Sequence, residues 1–243
     1  MLGVSVACAA VALLPAMGGA APATRAFADG AATPGLAAAR YGHPAGTAEA
    51  AVLADSNLSG AVVTGSAFNS VTSTWTEPSV PCGSGGTIGI WVGLDGYGSS
   101  TVEQTGVSVD CSYGYPVYQA WYEMYPYPPV YYSNPISAGD HLIATVSHSG
   151  STYTLKMSDT AKGWTKTTTK SMSASNASAE VLLEGQPGAY PNFGTVYFTN
   201  SEINGSLLAN WNPTLGDASY NGIQETRTSP VSGGSFSITW LHA

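Results

Sequence analysis

The chain has 243 residues, enough for one large domain or two small ones. Charged residues make up only 9% of it, against roughly 25% in an ordinary soluble protein, while hydrophobic residues reach 44%, which excludes disorder through lack of apolar material. Lys and Arg number 7 against 15 Asp and Glu, a formal net charge of −8 with no basic stripe, and that excludes nucleic acid as a partner.

In chain order, the first element is an apolar run from Val4 to Met17, too short to span a bilayer as a mature helix. Ala26-Phe27-Ala28 supplies the small residues of a cleavage site. Residues 1–28 are therefore expected to be a signal peptide, and the mature protein to be secreted, with no membrane association after cleavage. Residues 29–54 are rich in Ala and Gly with little alternation and read as a linker or pro-segment. The domain proper is expected over 55–243. Cys8 falls inside the signal. Cys82 and Cys111 remain, an even pair in an oxidising compartment. A disulfide between them would close a loop of about 30 residues, worth on the order of 3 kcal/mol in the chain-entropy account.

From Asp55 onward, short alternating runs recur between Gly, Pro, Ser and Asn. Strands are expected at Ala61–Thr64, Val71–Thr76, Thr87–Leu94, Thr101–Val109 and Val117–Tyr125. Further strands follow at His141–Ser147, Ser151–Met157, Gly163–Thr169, Ser178–Glu184, Thr195–Thr199, Ser206–Trp211 and Ser235–Leu241. Ser149-Gly150 reads as a hairpin turn. About a dozen short strands without a sustained helical period predict an all-β fold, a sandwich or barrel of antiparallel sheets.

Side chains alternate faces along a strand. One face of the fifth strand shows Gln119, Trp121, Glu123 and Tyr125, a carboxylate between aromatics, which suits a binding surface better than a core. Val102, Gln104 and Gly106 share a face. Glu180, Leu182 and Glu184 share another, with Ala179, Val181 and Leu183 toward the packed side. Zinc, P-loop and nucleophile-elbow motifs are missing, and none of the four histidines sits in the context of a triad base. The chemistry left for a hydrolase is carboxylate-based, with no cofactor and no metal.

Trp91-Val92-Gly93-Leu94-Asp95-Gly96, Glu103-Gln104-Thr105-Gly106 and Ala120-Trp121-Tyr122-Glu123-Met124-Tyr125-Pro126 resemble, in order and spacing, the glutamic peptidases (eqolisins, family G1). Ala179-Glu180-Val181-Leu182-Leu183-Glu184 is similar to that family's second signature. The resemblance runs from Asn57 to Trp240, nearly all of the expected mature domain. It implies a concanavalin A-like sandwich of two bent antiparallel sheets and acid-active endopeptidase hydrolysis of polypeptides by a monomer. It assigns the catalytic dyad to Gln104 and Glu180, with Glu180 as general base and acid and Gln104 as oxyanion donor. It places Trp91, Asp95, Trp121, Glu123 and Tyr125 around the substrate. Leu58 and Val181 stand where the family commonly has Trp, so both are expected to bear on cleft shape. Two other readings stay open from the residues: a lectin stacking sugars on Trp121, Tyr125 and the loop to Tyr132, and a glycoside hydrolase using Glu123 and Glu180. The scarcity of carboxylates also predicts tolerance of acid.

Overall fold

The computed structural model describes residues 56–83 and 85–242. The expected signal peptide, the segment 29–54 and Cys8 lie outside the described residues. In chain order the strands are β1 (Leu58–Thr64), β2 (Ser70–Thr76), β3 (Thr87–Asp95), β4 (Val102–Asp110), β5 (Val117–Tyr125), β6 (Val130–Tyr131), β7 (His141–Ser149), β8 (Thr152–Asp159) and β9 (Trp164–Ser171). They continue as β10 (Ser178–Gly185), β11 (Thr195–Ile203), β12 (Ser206–Leu207), β13 (Thr214–Gly216), β14 (Ser219–Tyr220), β15 (Ile223–Gln224), β16 (Thr226–Thr228) and β17 (Phe236–Trp240).

Two large antiparallel sheets result. One has seven strands in the order β13-β1-β10-β3-β4-β5-β6; the other has eight, seven in the order β16-β17-β11-β2-β7-β8-β9 with β12 paired to β11 off that path. Alternation assigns the faces. Ile88, Ile90, Val92 and Leu94 of β3, Val107 and Val109 of β4, and Ala179, Val181 and Leu183 of β10 join Val71, Trp75, Leu142, Val146, Leu155, Met157 and Phe198 of the other sheet in one core. Each such side chain, fully buried, contributes about 1.5–3 kcal/mol by transfer from water. The edge strand β9 is mostly Thr and Lys and largely exposed, a composition that blunts pairing with other chains. Cys82 and Cys111 form the expected disulfide, S–S 2.04 Å, tying the loop before β3 to the end of β4.

The structure departs from the sequence expectation near residue 206. Only Ser206–Leu207 is extended there; Leu208–Trp211 is a 3₁₀ turn whose Leu208 is fully buried while Leu207 is exposed. The apolar residues of that stretch look like a strand face, but it is the turn that inserts Leu208 into the core. Strands β6 and β13–β16, two or three residues each, lie below the length at which alternation is legible.

Candidate functional site

The outward face of the seven-stranded sheet carries a second, smaller apolar cluster of Leu58, Val62, Trp91, Val102, Trp121 and Leu182, flanked by Tyr97, Tyr125 and Tyr131. Registers across this sheet put the expected dyad in one row. Glu180 of β10 lies opposite Gly93 of β3, Gly93 opposite Gln104 of β4, and Gln104 opposite Glu123 of β5. Strand spacing sets the Glu180 and Gln104 backbones about 9–10 Å apart. The position between them, Gly93, has no side chain. A Cβ on Gly93 would lie 2.9 Å from Cζ3 of Trp91 and 3.2 Å from Cβ of Gln104. The Trp91 ring thus rests on the bare backbone of Gly93.

Glu180 is nearly fully buried. Its Oε1 accepts from the Tyr97 backbone N–H at 2.9 Å and from Ser178 Oγ at 3.0 Å. Gly96, at φ 110, brings the turn so close that a Cβ there would lie 3.0 Å from both carboxyl oxygens; only glycine combines that φ with that approach. Burial pushes the Glu180 pKa up to about 8, against the lowering effect of the Ser178 and Tyr97 hydrogen bonds. Gln104 is also buried. Its Nε2 donates to Glu123 Oε2 at 2.5 Å, and its Oε1 has no partner. Burial raises the Glu123 pKa to about 7, opposed by that hydrogen bond. Glu184, four residues beyond Glu180 on the same face, accepts from Asn57 Nδ2 at 2.7 Å and is pushed to about 8 by burial and then by the Glu123 charge. Three carboxyl groups therefore share this face, each favoured in its neutral form.

The structure brings together Gln104, Glu180, Glu123, Trp91, Trp121 and Tyr125 from the sequence expectation. It does not bring Asp95 with them. Asp95, expected to line the substrate site, is fully buried at the end of β3 with φ 63. Its Oδ2 accepts from the N–H groups of Ser175 (3.1 Å) and Asn176 (2.8 Å), and its Oδ1 from Ala177 (2.8 Å). The left-handed backbone turns its carboxylate onto the segment leading into β10. Asp95 thus holds the residues just before Ser178 and starts the turn that presents the Tyr97 N–H, so it positions both donors to Glu180. Asp95→Ala is expected to leave three N–H groups without their acceptor and to cost about 3 kcal/mol or more. Asp95→Asn, which keeps an acceptor and tolerates positive φ, is expected to cost less. Thermal unfolding of the two variants measures the difference.

Val181 is a second correction. It lies on the core face, so of the two departures from the family pattern only Leu58 touches the site. Residue reasoning also missed Ser178 and the Tyr97 N–H. Ser178 was findable, two residues before Glu180 on the same face. The Tyr97 donor is backbone and leaves no signature in side-chain pattern. Among the described residues no group of three or more His, Cys, Asp or Glu is placed to hold a metal ion.

The Peptidase A4 family model matches residues 56–240. Aspergillopepsin-2 of Aspergillus niger is 33% identical over 220 residues, covering 76% of this chain and 78% of that protein. The crystal structure of scytalido-glutamic peptidase with a transition state analog inhibitor superposes with a TM-score of 0.69 at 25% identity, covering 76% of this chain and 98% of the other. That of aspergilloglutamic peptidase from Aspergillus niger superposes with a TM-score of 0.56 at 31% identity, covering 64% and 99%.

Proposed function

The chain belongs to the Peptidase A4 family, the glutamic peptidases, and from that premise we propose that it is a secreted endopeptidase, active in acid, whose dyad is Glu180 and Gln104. The observation that carries this reading is the row Glu180–Gly93–Gln104–Glu123 across four neighbouring strands. Its register puts a glutamate and a glutamine on the two strands that flank Gly93.

Amide hydrolysis needs an activated water, a stabilised oxyanion and a protonated leaving nitrogen. Glu180 in its carboxylate form takes a proton from water as the water oxygen bonds the scissile carbon. The carbonyl oxygen becomes an oxyanion. The Gln104 amide has two N–H donors: one is held by Glu123, which fixes the plane of the amide, and the other serves the oxyanion. When the carbon–nitrogen bond breaks, the Glu180 carboxyl returns its proton to the leaving amine. Burial opposes the carboxylate form of Glu180, while Ser178 Oγ and the Tyr97 N–H favour it. The Ser178 and Tyr97 donors are the groups that hold the carboxylate form against that burial.

Acid activity follows from the neighbours. An oxyanion on Gln104 forms beside Glu123 and on the same face as Glu184. Below about pH 7, Glu123 is neutral; above it, a carboxylate beside Gln104 repels the developing charge. Secretion is supported by the Val4–Met17 run and the disulfide. Among the described residues no helix is long and apolar enough to cross a membrane.

The glycoside hydrolase alternative fits poorly. The family model and the curated relative that match the chain are peptidases, not glycosidases. Digestion of a denatured protein at about pH 2–5, around the ordinary glutamate pKa, tests the proposal. Cleavage at internal bonds that fades as pH rises through 7 is expected. Glycan binding with no cleavage at any pH would overturn it in favour of a lectin.

A further inference from the structure

The site face has a depression beyond Glu180, on the side away from Gln104. In register Val62 of β1 lies opposite Glu180, and Gly60 opposite Leu182. Gly60 has no side chain, and none could stand there: a Cβ would lie 2.4 Å from the Val181 carbonyl oxygen. Beside it lies a cavity between Val62, Leu182 and Tyr97, with Thr64 and Thr214 at its exposed rim.

Size and lining decide what fits. The cavity volume is about 50 Å³. At about 10–15 Å³ for each water-sized group, it holds about three to five such groups. That matches the carbons of Val, Leu or Ile and is too small for an aromatic ring on its stem. Val62 and Leu182 are almost fully buried apolar walls, and the residues lining the cavity carry no charge. An ionised side chain entering it would lose water against aliphatic carbon without a partner. Because Val62 neighbours Glu180 directly, a side chain in this cavity belongs to a residue next to the reacting carbonyl.

We propose that this cavity is the subsite for one of the two residues flanking the scissile bond, and that it selects an aliphatic side chain of Val, Leu or Ile size. The proposal rests on the Glu180–Gln104 reading for its place beside the bond cut.

Two measurements test it. The first maps cleavage sites by mass spectrometry in a denatured protein digested at about pH 4, near the ordinary glutamate pKa. One flanking position is expected to favour Val, Leu and Ile over charged residues by about tenfold or more, the 1.4 kcal/mol scale of a modest apolar contact. Val62→Ala is expected to admit Phe and Met at that position. Thr214→Trp, an exposed substitution on the edge strand β13, is expected to shift it to Gly and Ala. Profiles that accept charged and aliphatic residues equally, or that both variants leave unchanged, would overturn the proposal. The second measures, by calorimetry on the Glu180→Gln protein, binding of two peptides differing only by Leu against Asp at that position. Tighter binding of the Leu peptide, erased by Thr214→Trp, supports the subsite; equal binding overturns it. A Glu180→Gln protein that cleaves like wild type overturns the dyad instead, and the binding comparison still decides the pocket.

Discussion

Glu180→Gln is expected to lower kcat on a denatured protein or peptide substrate by about 10³-fold or more. A positioned general acid–base is worth about 10²–10⁴, and this residue is assigned both steps. The substitution keeps shape, and an amide can still accept from Ser178 Oγ and the Tyr97 N–H, so the fold is retained and the loss is chemical. Gln104→Ala removes the oxyanion donor and is expected to cost about 10²–10³ in kcat, or 2.7–4 kcal/mol. Its effect on KM is expected to be small, because the hydrogen bond strengthens as charge develops. Kinetics at about pH 4, near the ordinary glutamate pKa, with near-ultraviolet circular dichroism as a check on folding, separate these expectations from simple unfolding.

Stability is expected to be greatest in acid and to fall as pH rises from about 4.5 to about 8. Glu77, Glu103 and Glu180 are buried carboxyls pushed to about 8, in each case by burial first. Glu103, on the core face beside Asp95 in the sheet, has no hydrogen-bond partner for either oxygen. Glu184 and Glu123 behave alike, at about 8 and about 7. A group whose pKa is raised on folding holds a proton in the native state that the unfolded chain has already released. Between the ordinary value of 4.5 and about 8, the folded state binds more protons, so each rise in pH favours unfolding. One pKa unit is worth about 1.4 kcal/mol, so ionising these groups together removes on the order of a few kcal/mol, a large part of the usual total of about 5–15 kcal/mol. Asp140 works the other way. Its pKa is lowered overall: burial raises it, but pairing with Lys162 and the Ser137 N–H outweighs burial. Its contribution is therefore lost only as pH falls below the ordinary Asp range. Tm is expected to drop by about 10 °C or more between about pH 4 and pH 8, at about 2–4 °C per kcal/mol for a domain of this size. Glu180→Gln is expected to reduce that drop. A Tm that rises over the same interval would contradict the burial of neutral carboxyls.

Much of the fold was legible because side-chain alternation was clean where it mattered. In β10 the residues Ala179, Val181 and Leu183 face the core and Glu180, Leu182 and Glu184 do not, as the two-residue period requires. The acid tolerance expected from scarce carboxylates would draw on burial as well, since several of the carboxyls present are buried with raised pKa values, and composition carries no burial. Asp95 was misplaced for a related reason. Period two puts it on the face of Trp91 and Gly93, but its left-handed φ at the strand end breaks the alternation and sends the carboxylate to residues 175–177. Val181 shows the converse: position in a motif suggested the cleft, whereas strand geometry puts it in the core. The Gln104–Glu123 hydrogen bond was beyond sequence reasoning, since it depends on the β4–β5 register rather than on either strand alone.

A double-mutant cycle on kcat at about pH 4, near the ordinary glutamate pKa, comparing wild type, Glu180→Gln, Gln104→Ala and the double variant, tests the dyad most directly. Groups that act as one unit lose little more together than the worse of the two alone, so the double variant is expected to be about as impaired as Glu180→Gln. Full activity in a folded Glu180→Gln protein, or losses that multiply as for independent sites, would contradict the joint action of Glu180 and Gln104.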